Sequence, residues 1–124
     1  SKLHESEYID NVMVIGENEK FASAIIVPSF ENLETFFRKR RLSMPTSREN
    51  IIHHPEVMAL MSKEVDKVNK TLADHEQIKR FRMVPDTWNI GAELSQTMKL
   101  RRKYIYQKYD ALCREIYNYD KKED

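Results

Sequence analysis

The sequence predicts an α+β domain: a small sheet of about three strands, a hairpin plus one later strand, with helices packed on it. Two short β-rich apolar runs near the start are separated by the polar turn "GENEK". Amphipathic helical patterns follow, and a third strand-like stretch, "IKRFRMVP", comes late in the chain. Three strands cannot shield themselves from water alone, so the helices must cover them.

Each element has its own warrant. "SKLHESEYID" carries apolar residues at Leu3 and at Tyr8 or Ile9, as the tail of a helix would. Residues 12–15 and 21–27 are the hairpin strands, the second ended by Pro28. Neither alternates cleanly, which predicts strands covered on both faces. Ser29 stands where it can cap a helix carrying Leu33, Phe36 and Phe37 on one side. Thr46 and Glu49 have capping-box spacing for a short helix. The strongest pattern is 55–73, with Pro55 at a first helical position and Val57, Met61, Val65, Val68 and Leu72 along one face. In the later strand Phe81 and Met83 share a face. A last helix over 102–119 places Ile105, Tyr109, Leu112, Ile116 and Tyr119 together, and the final "DKKED" reads as frayed.

Composition narrows the function. The chain has 124 residues, room for one domain over 1–124, with 21 basic and 20 acidic side chains and a net charge of +1. Such balance argues against a dedicated nucleic-acid binder, which relies on cationic surplus. Cys113 is the one cysteine, so no internal disulfide forms, in keeping with a reducing compartment. No apolar run approaches the roughly 18 residues of a membrane span. The expectation is a cytosolic domain, and the helix-like opening without Met predicts a piece of a longer protein.

Metal and nucleophile chemistry find little support. His53 and His54 are adjacent, so on a helix they diverge by about 100°. His4 and His75 lack partners at ligand spacing, and no metal site is expected. Cys113 sits inside a helical pattern beside Leu112, where a buried thiol is the simpler assignment. Gly16 and Gly91 are the two glycines and neither opens a phosphate-cradling loop, so this domain alone does not hold a nucleotide in the usual way.

Two basic runs remain. "RKRR", residues 38–41, ends a helix, where cations suit the negative end of the dipole. "MKLRRK", residues 98–103, begins one, where they do not. A cluster placed against local preference marks either a solvated turn or a functional site facing something negative.

The residues themselves carry a resemblance. "EYIDNVMVIGENEKFASAIIVPSFENL" resembles the start of the C-terminal domain of long-chain acyl-CoA synthetases, in the adenylate-forming superfamily. "ELSQTMKLRRKYIYQKY" is similar to that domain's closing motif. The resemblance covers nearly the whole chain and implies a small lid domain of a larger enzyme. Such an enzyme makes an acyl-adenylate from a fatty acid and ATP with Mg²⁺, then transfers the acyl group to coenzyme A. It implies that the catalytic lysine of the closing motif is Lys99, with Arg101 and Arg102 enlarging the positive field for phosphate. It also implies an N-terminal adenylation domain as partner, and membrane association, if any, through the rest of the protein. Departures are Ser95-Gln96 in place of the usual Thr-Pro, Ser23 in place of a glycine, and Gly91 one residue early. Two other readings stand beside it: a basic module for nucleic acid or acidic membrane, and adenylation with a carrier protein as acceptor. On the ligase reading the chain alone is expected to be inactive.

Overall fold

In a computed structural model describing residues 1–118, a three-stranded mixed sheet has helices on both faces. β1 (Ile9–Ile15) pairs antiparallel with β2 (Ala22–Pro28), and β2 pairs parallel with β3 (Ile78–Met83), so β2 is central. Between β2 and β3 run α1 (Phe30–Arg40), α2 (Arg48–Ile52) and α3 (Pro55–Asn69). After β3 comes a long irregular segment, then α4 (Arg102–Lys108) and α5 (Asp110–Ile116).

Strand alternation divides the core in two. Val12, Ala24 and Ile26 face Leu33, Phe37, Val57 and Met61 of the α1–α3 layer. Met13, Ile15, Ile25 and Val27 face Trp88, Leu94, Ile105, Tyr109 and Ile116 of the C-terminal layer. This is why neither hairpin strand alternates in sequence: successive side chains enter different cores, and both are dry. Phe81 and Met83 lie on the first face together, as their spacing predicts. Burying Phe37, 1% exposed, is worth about 1.5–3 kcal/mol. No described helix is long and apolar enough to cross a membrane.

Local signals set most element starts. Ser29 Oγ accepts from Asn32 N–H at 3.2 Å and caps α1. Pro55 opens α3 behind His54, whose ring nitrogen accepts from Glu56 N–H. α1 ends with Arg41 left-handed at φ 57° and Leu42 N–H returning to Phe37 C=O, a Schellman-type close.

Four expectations need correction. The opening residues form a 3₁₀ turn, Lys2–Glu5, that buries Leu3, and Ile9 already belongs to β1. The cap of α2 is Ser47, which accepts from Asn50 N–H, one residue after Thr46. α3 stops at Asn69, leaving Leu72 in a turn, because the Asn69 amide brackets both backbone groups of Ile78 at 2.8 Å and ties the helix end to β3. The last helix divides at Tyr109, whose hydroxyl is drawn into a buried network described below. Tyr119 and "DKKED" lie outside the described residues.

Candidate functional site

The irregular segment after β3 is held by its own backbone. Ile90 and Leu94 form a parallel bridge, Leu94 and Leu100 an antiparallel one, and Leu94 is buried. Gly91 turns the chain at φ +90°, a conformation other residues rarely adopt, and its N–H donates to Leu94 C=O at 2.8 Å.

Beyond Leu94 the chain makes a tight loop that ends at Lys99. Met98 N–H donates to Ser95 C=O, and Ser95 N–H to Lys99 C=O, both at 2.8 Å. Met98 sits left-handed at φ 63°. This is a three-residue hairpin loop, a turn followed by one left-handed residue. Glycine or asparagine suits that position; a methionine there costs roughly 1 kcal/mol or more. Ser95 Oγ accepts from Lys99 N–H at 3.1 Å, closing the loop from its side chain. Gln96 lies where a proline would preset the turn; Ser95 supplies hydrogen bonds instead.

Lys99 is exposed, and among the described residues its ammonium has no hydrogen-bond or ion-pair partner. Its neighbours differ. Arg101 Nη1 donates to Gly91 C=O at 3.1 Å and Ala92 C=O at 2.7 Å, and the guanidinium lies 5.2 Å over the Tyr104 ring. Arg102 Nη2 donates to Val14 C=O at 2.9 Å and Glu17 Oε1 at 2.6 Å. So the base of the loop is clamped to its own segment by Arg101 and to the β1–β2 turn by Arg102. The local conflict at the start of α4 is relieved by Glu17, which brings a negative charge beside the cluster. Glu17 also accepts from the Tyr106 hydroxyl, and these bonds, Tyr106 first, hold its carboxyl down at about 2. Burial and the same carboxylate push Tyr106 up to about 12, so it remains the donor.

A buried network that the sequence did not reveal supports the loop from beneath. Glu93, 2% exposed, accepts from Asn89 N–H at 2.9 Å and from Lys108 Nζ at 2.7 Å. Trp88 Nε1 donates to the Tyr109 hydroxyl at 3.0 Å, which donates to Asp86 Oδ2 at 2.7 Å. Arg101 N–H donates to Glu93 C=O at 2.8 Å, so Glu93 anchors the strand leading out of the Lys99 loop. The signal available was the resemblance of "AELSQT" to the closing motif, whose glutamate is Glu93.

The other chemistry-bearing residues are accounted for locally. His53 meets Glu49 C=O at 2.9 Å, and His54 caps α3 while its ring stands edge-on to Phe37. Among the described residues no three His, Cys, Asp or Glu side chains are grouped to hold a metal ion. Burial raises the Cys113 thiol above its ordinary value, which disfavours the thiolate. In "RKRR", Arg38 pairs with Glu34 at 3.6 Å, and Arg40 lies over Phe36 and reaches Glu56 at 3.9 Å.

The fold has solved counterparts. It matches the adenylation domain of a carboxylate reductase from Mycobacterium chelonae with a TM-score of 0.68 at 20% identity, covering 94% of this chain and 16% of that one. It matches a carboxylic acid reductase didomain from Segniliparus rugosus, solved with AMP, with a TM-score of 0.70 at 18% identity, covering 94% and 15%. At such identities the likeness is one of fold. Residues 1–121 match the family model described as AMP-binding enzyme C-terminal domain, and the chain belongs to that family. Among sequence relatives, a Mycobacterium tuberculosis protein named as a candidate fatty-acid–CoA ligase, FadD11, is 36% identical over 107 residues, covering 86% of this chain and 18% of its own length. The long-chain-fatty-acid–CoA ligase FadD15 of the same organism is 26% identical over 118 residues, covering 94% and 20%. The chain thus spans about a fifth of these relatives' length.

Proposed function

We propose that this chain is the C-terminal lid domain of an ATP-dependent long-chain fatty-acid–CoA ligase, and that Lys99 is its catalytic residue. Family membership and the relatives' names support the ligase class. The observation that carries the role of Lys99 is its ammonium, exposed and unpaired among the described residues, at the end of a loop whose base is clamped.

In adenylation a fatty-acid carboxylate attacks the α-phosphorus of ATP, and the bond to the departing pyrophosphate breaks. Two anions approach, and negative charge builds on the phosphate oxygens. A lysine ammonium on a flexible stem supplies a point charge there without proton transfer. The clamps at Arg101 and Arg102 hold the loop so that this charge is positioned before the reaction begins. Arg101 and Arg102 each keep N–H donors beyond these contacts; Arg101 adds to the positive field, while the charge of Arg102 is largely offset by Glu17. The phosphate cradle, the Mg²⁺ ligands and the acyl pocket belong to the N-terminal adenylation domain, the lid's partner. The thiol of coenzyme A then attacks the acyl-adenylate carbonyl and AMP leaves, a step in which Lys99 has no part.

The test is Lys99→Ala in the full-length enzyme. Fatty-acid-dependent pyrophosphate exchange should collapse while thioester formation from supplied acyl-adenylate survives. Equal loss of both steps would point to misfolding or failed docking instead. Offering coenzyme A and a phosphopantetheinyl carrier in parallel identifies the acceptor.

A further inference from the structure

The residue before Lys99 is costly twice over. Met98 holds a left-handed backbone that glycine or asparagine would adopt without strain. Its side chain is also 67% exposed, the most open of the large apolar residues among those described. The left-handed residue closes the loop, but nothing in the isolated domain calls for a methionine there, since the thioether covers no core. Nor is Met98 alone. Met58, Ile90, Met98 and Tyr104 are the exposed large apolar side chains among the described residues; Ile90 and Met98 lie in the segment that carries Lys99, and Tyr104 lies in the first turn of α4 that follows it. Ile90 bridges to Leu94 at the base of the loop, and Tyr104 stacks under Arg101. Exposed apolar side chains on the elements that flank an unpaired cation mark a contact surface.

We infer that Met98 is a positioning residue: when the lid closes, its side chain beds against an apolar wall beside the nucleotide site and fixes the direction from which Lys99 reaches the phosphate. This rests on the ligase reading above. The left-handed backbone is part of the device, because it turns the side chains of Met98 and Lys99 out from a loop fastened by Ser95. A glycine would relax the backbone but leave nothing to seat.

The experiment uses the full-length enzyme with Met98→Gly, Met98→Asn and Met98→Leu, and Lys99→Ala alongside. Pyrophosphate exchange, thioester formation from supplied acyl-adenylate and the thermal midpoint are measured for each. Met98→Gly and Met98→Asn should lose about tenfold or more in kcat for exchange, as misplacement of a reacting group does. Their midpoints should stay level or rise, and their thioester step should be unchanged. Met98→Leu, which returns apolar bulk, should recover most of the exchange rate. Wild-type exchange in Met98→Gly and Met98→Asn overturns the inference, as does a loss in Met98→Leu equal to that in Met98→Gly. If Lys99→Ala collapses exchange while Met98→Gly does not, the inference alone falls. If Lys99→Ala leaves exchange intact, both fall.

Discussion

Glu93 and Lys108 meet at 2.7 Å, with the acid side chain 3% exposed and the lysine 33%. The pair joins the segment leading into the Lys99 loop to the last turn of α4. It therefore ties the loop that carries the exposed Lys99 cation to the C-terminal core.

Removing one member should be costly. Glu93→Ala leaves Asn89 N–H without its acceptor and the Lys108 ammonium with only Asp86, at 3.8 Å, and should destabilise by about 2 kcal/mol. Lys108→Met in the same background should restore part of that, because a half-buried charge that has lost its closest partner goes with it. Urea unfolding of the two single variants and the double variant checks this; strict additivity would show that the pair is not coupled.

Acid should act through Glu17. Its folded pKa, about 2, lies below the ordinary 4.5, so its stabilising contribution is present above 4.5 and is lost as pH falls toward 2. Lys108 runs the other way: its raised pKa gives a contribution present below the ordinary 10.5 and lost at higher pH. Thermal midpoints of wild type and Glu17→Gln should differ by a constant amount above about pH 5 and converge below it. A gap that stays constant down to pH 2 would remove Glu17 from the account.

The hairpin turn should not accept a side chain at Gly16. A Cβ there would stand 2.8 Å from Phe21 O and 2.9 Å from the Tyr117 hydroxyl, on a backbone at φ +129°. Gly16→Ala should cost about 1–3 kcal/mol and lower the thermal midpoint. An unchanged midpoint would mean that the turn and Tyr117 are free to shift.

The isolated chain should bind ATP weakly. Isothermal titration with ATP and Mg²⁺ should show no micromolar site, because one exposed lysine does not make a phosphate cradle. Micromolar binding to these 124 residues would contradict the division of labour proposed.

What the sequence disclosed follows how far each signal reaches. Ser29, Pro55 and the "GENEK" turn act within a few residues, so the hairpin and the starts of α1 and α3 were legible. The end of α3 depends on Asn69 reaching Ile78, and the break at Tyr109 coincides with bonds to Trp88 and Asp86, which helical periodicity does not register. In the candidate site, the assignment proposed for Lys99 rests on resemblance, not on a local signal. The tie from Arg102 to Val14 and Glu17 crosses 88 and 85 residues and has no local signature. Met98 hid for a different reason: methionine carries no mark of a left-handed backbone.

The most direct measurement is the rate of fatty-acid-dependent pyrophosphate exchange by the full-length enzyme carrying Lys99→Ala. The account predicts a fall on the order of 10²–10³, the usual loss when one preorganised charge is removed from a developing anion. Exchange at the wild-type rate would contradict it.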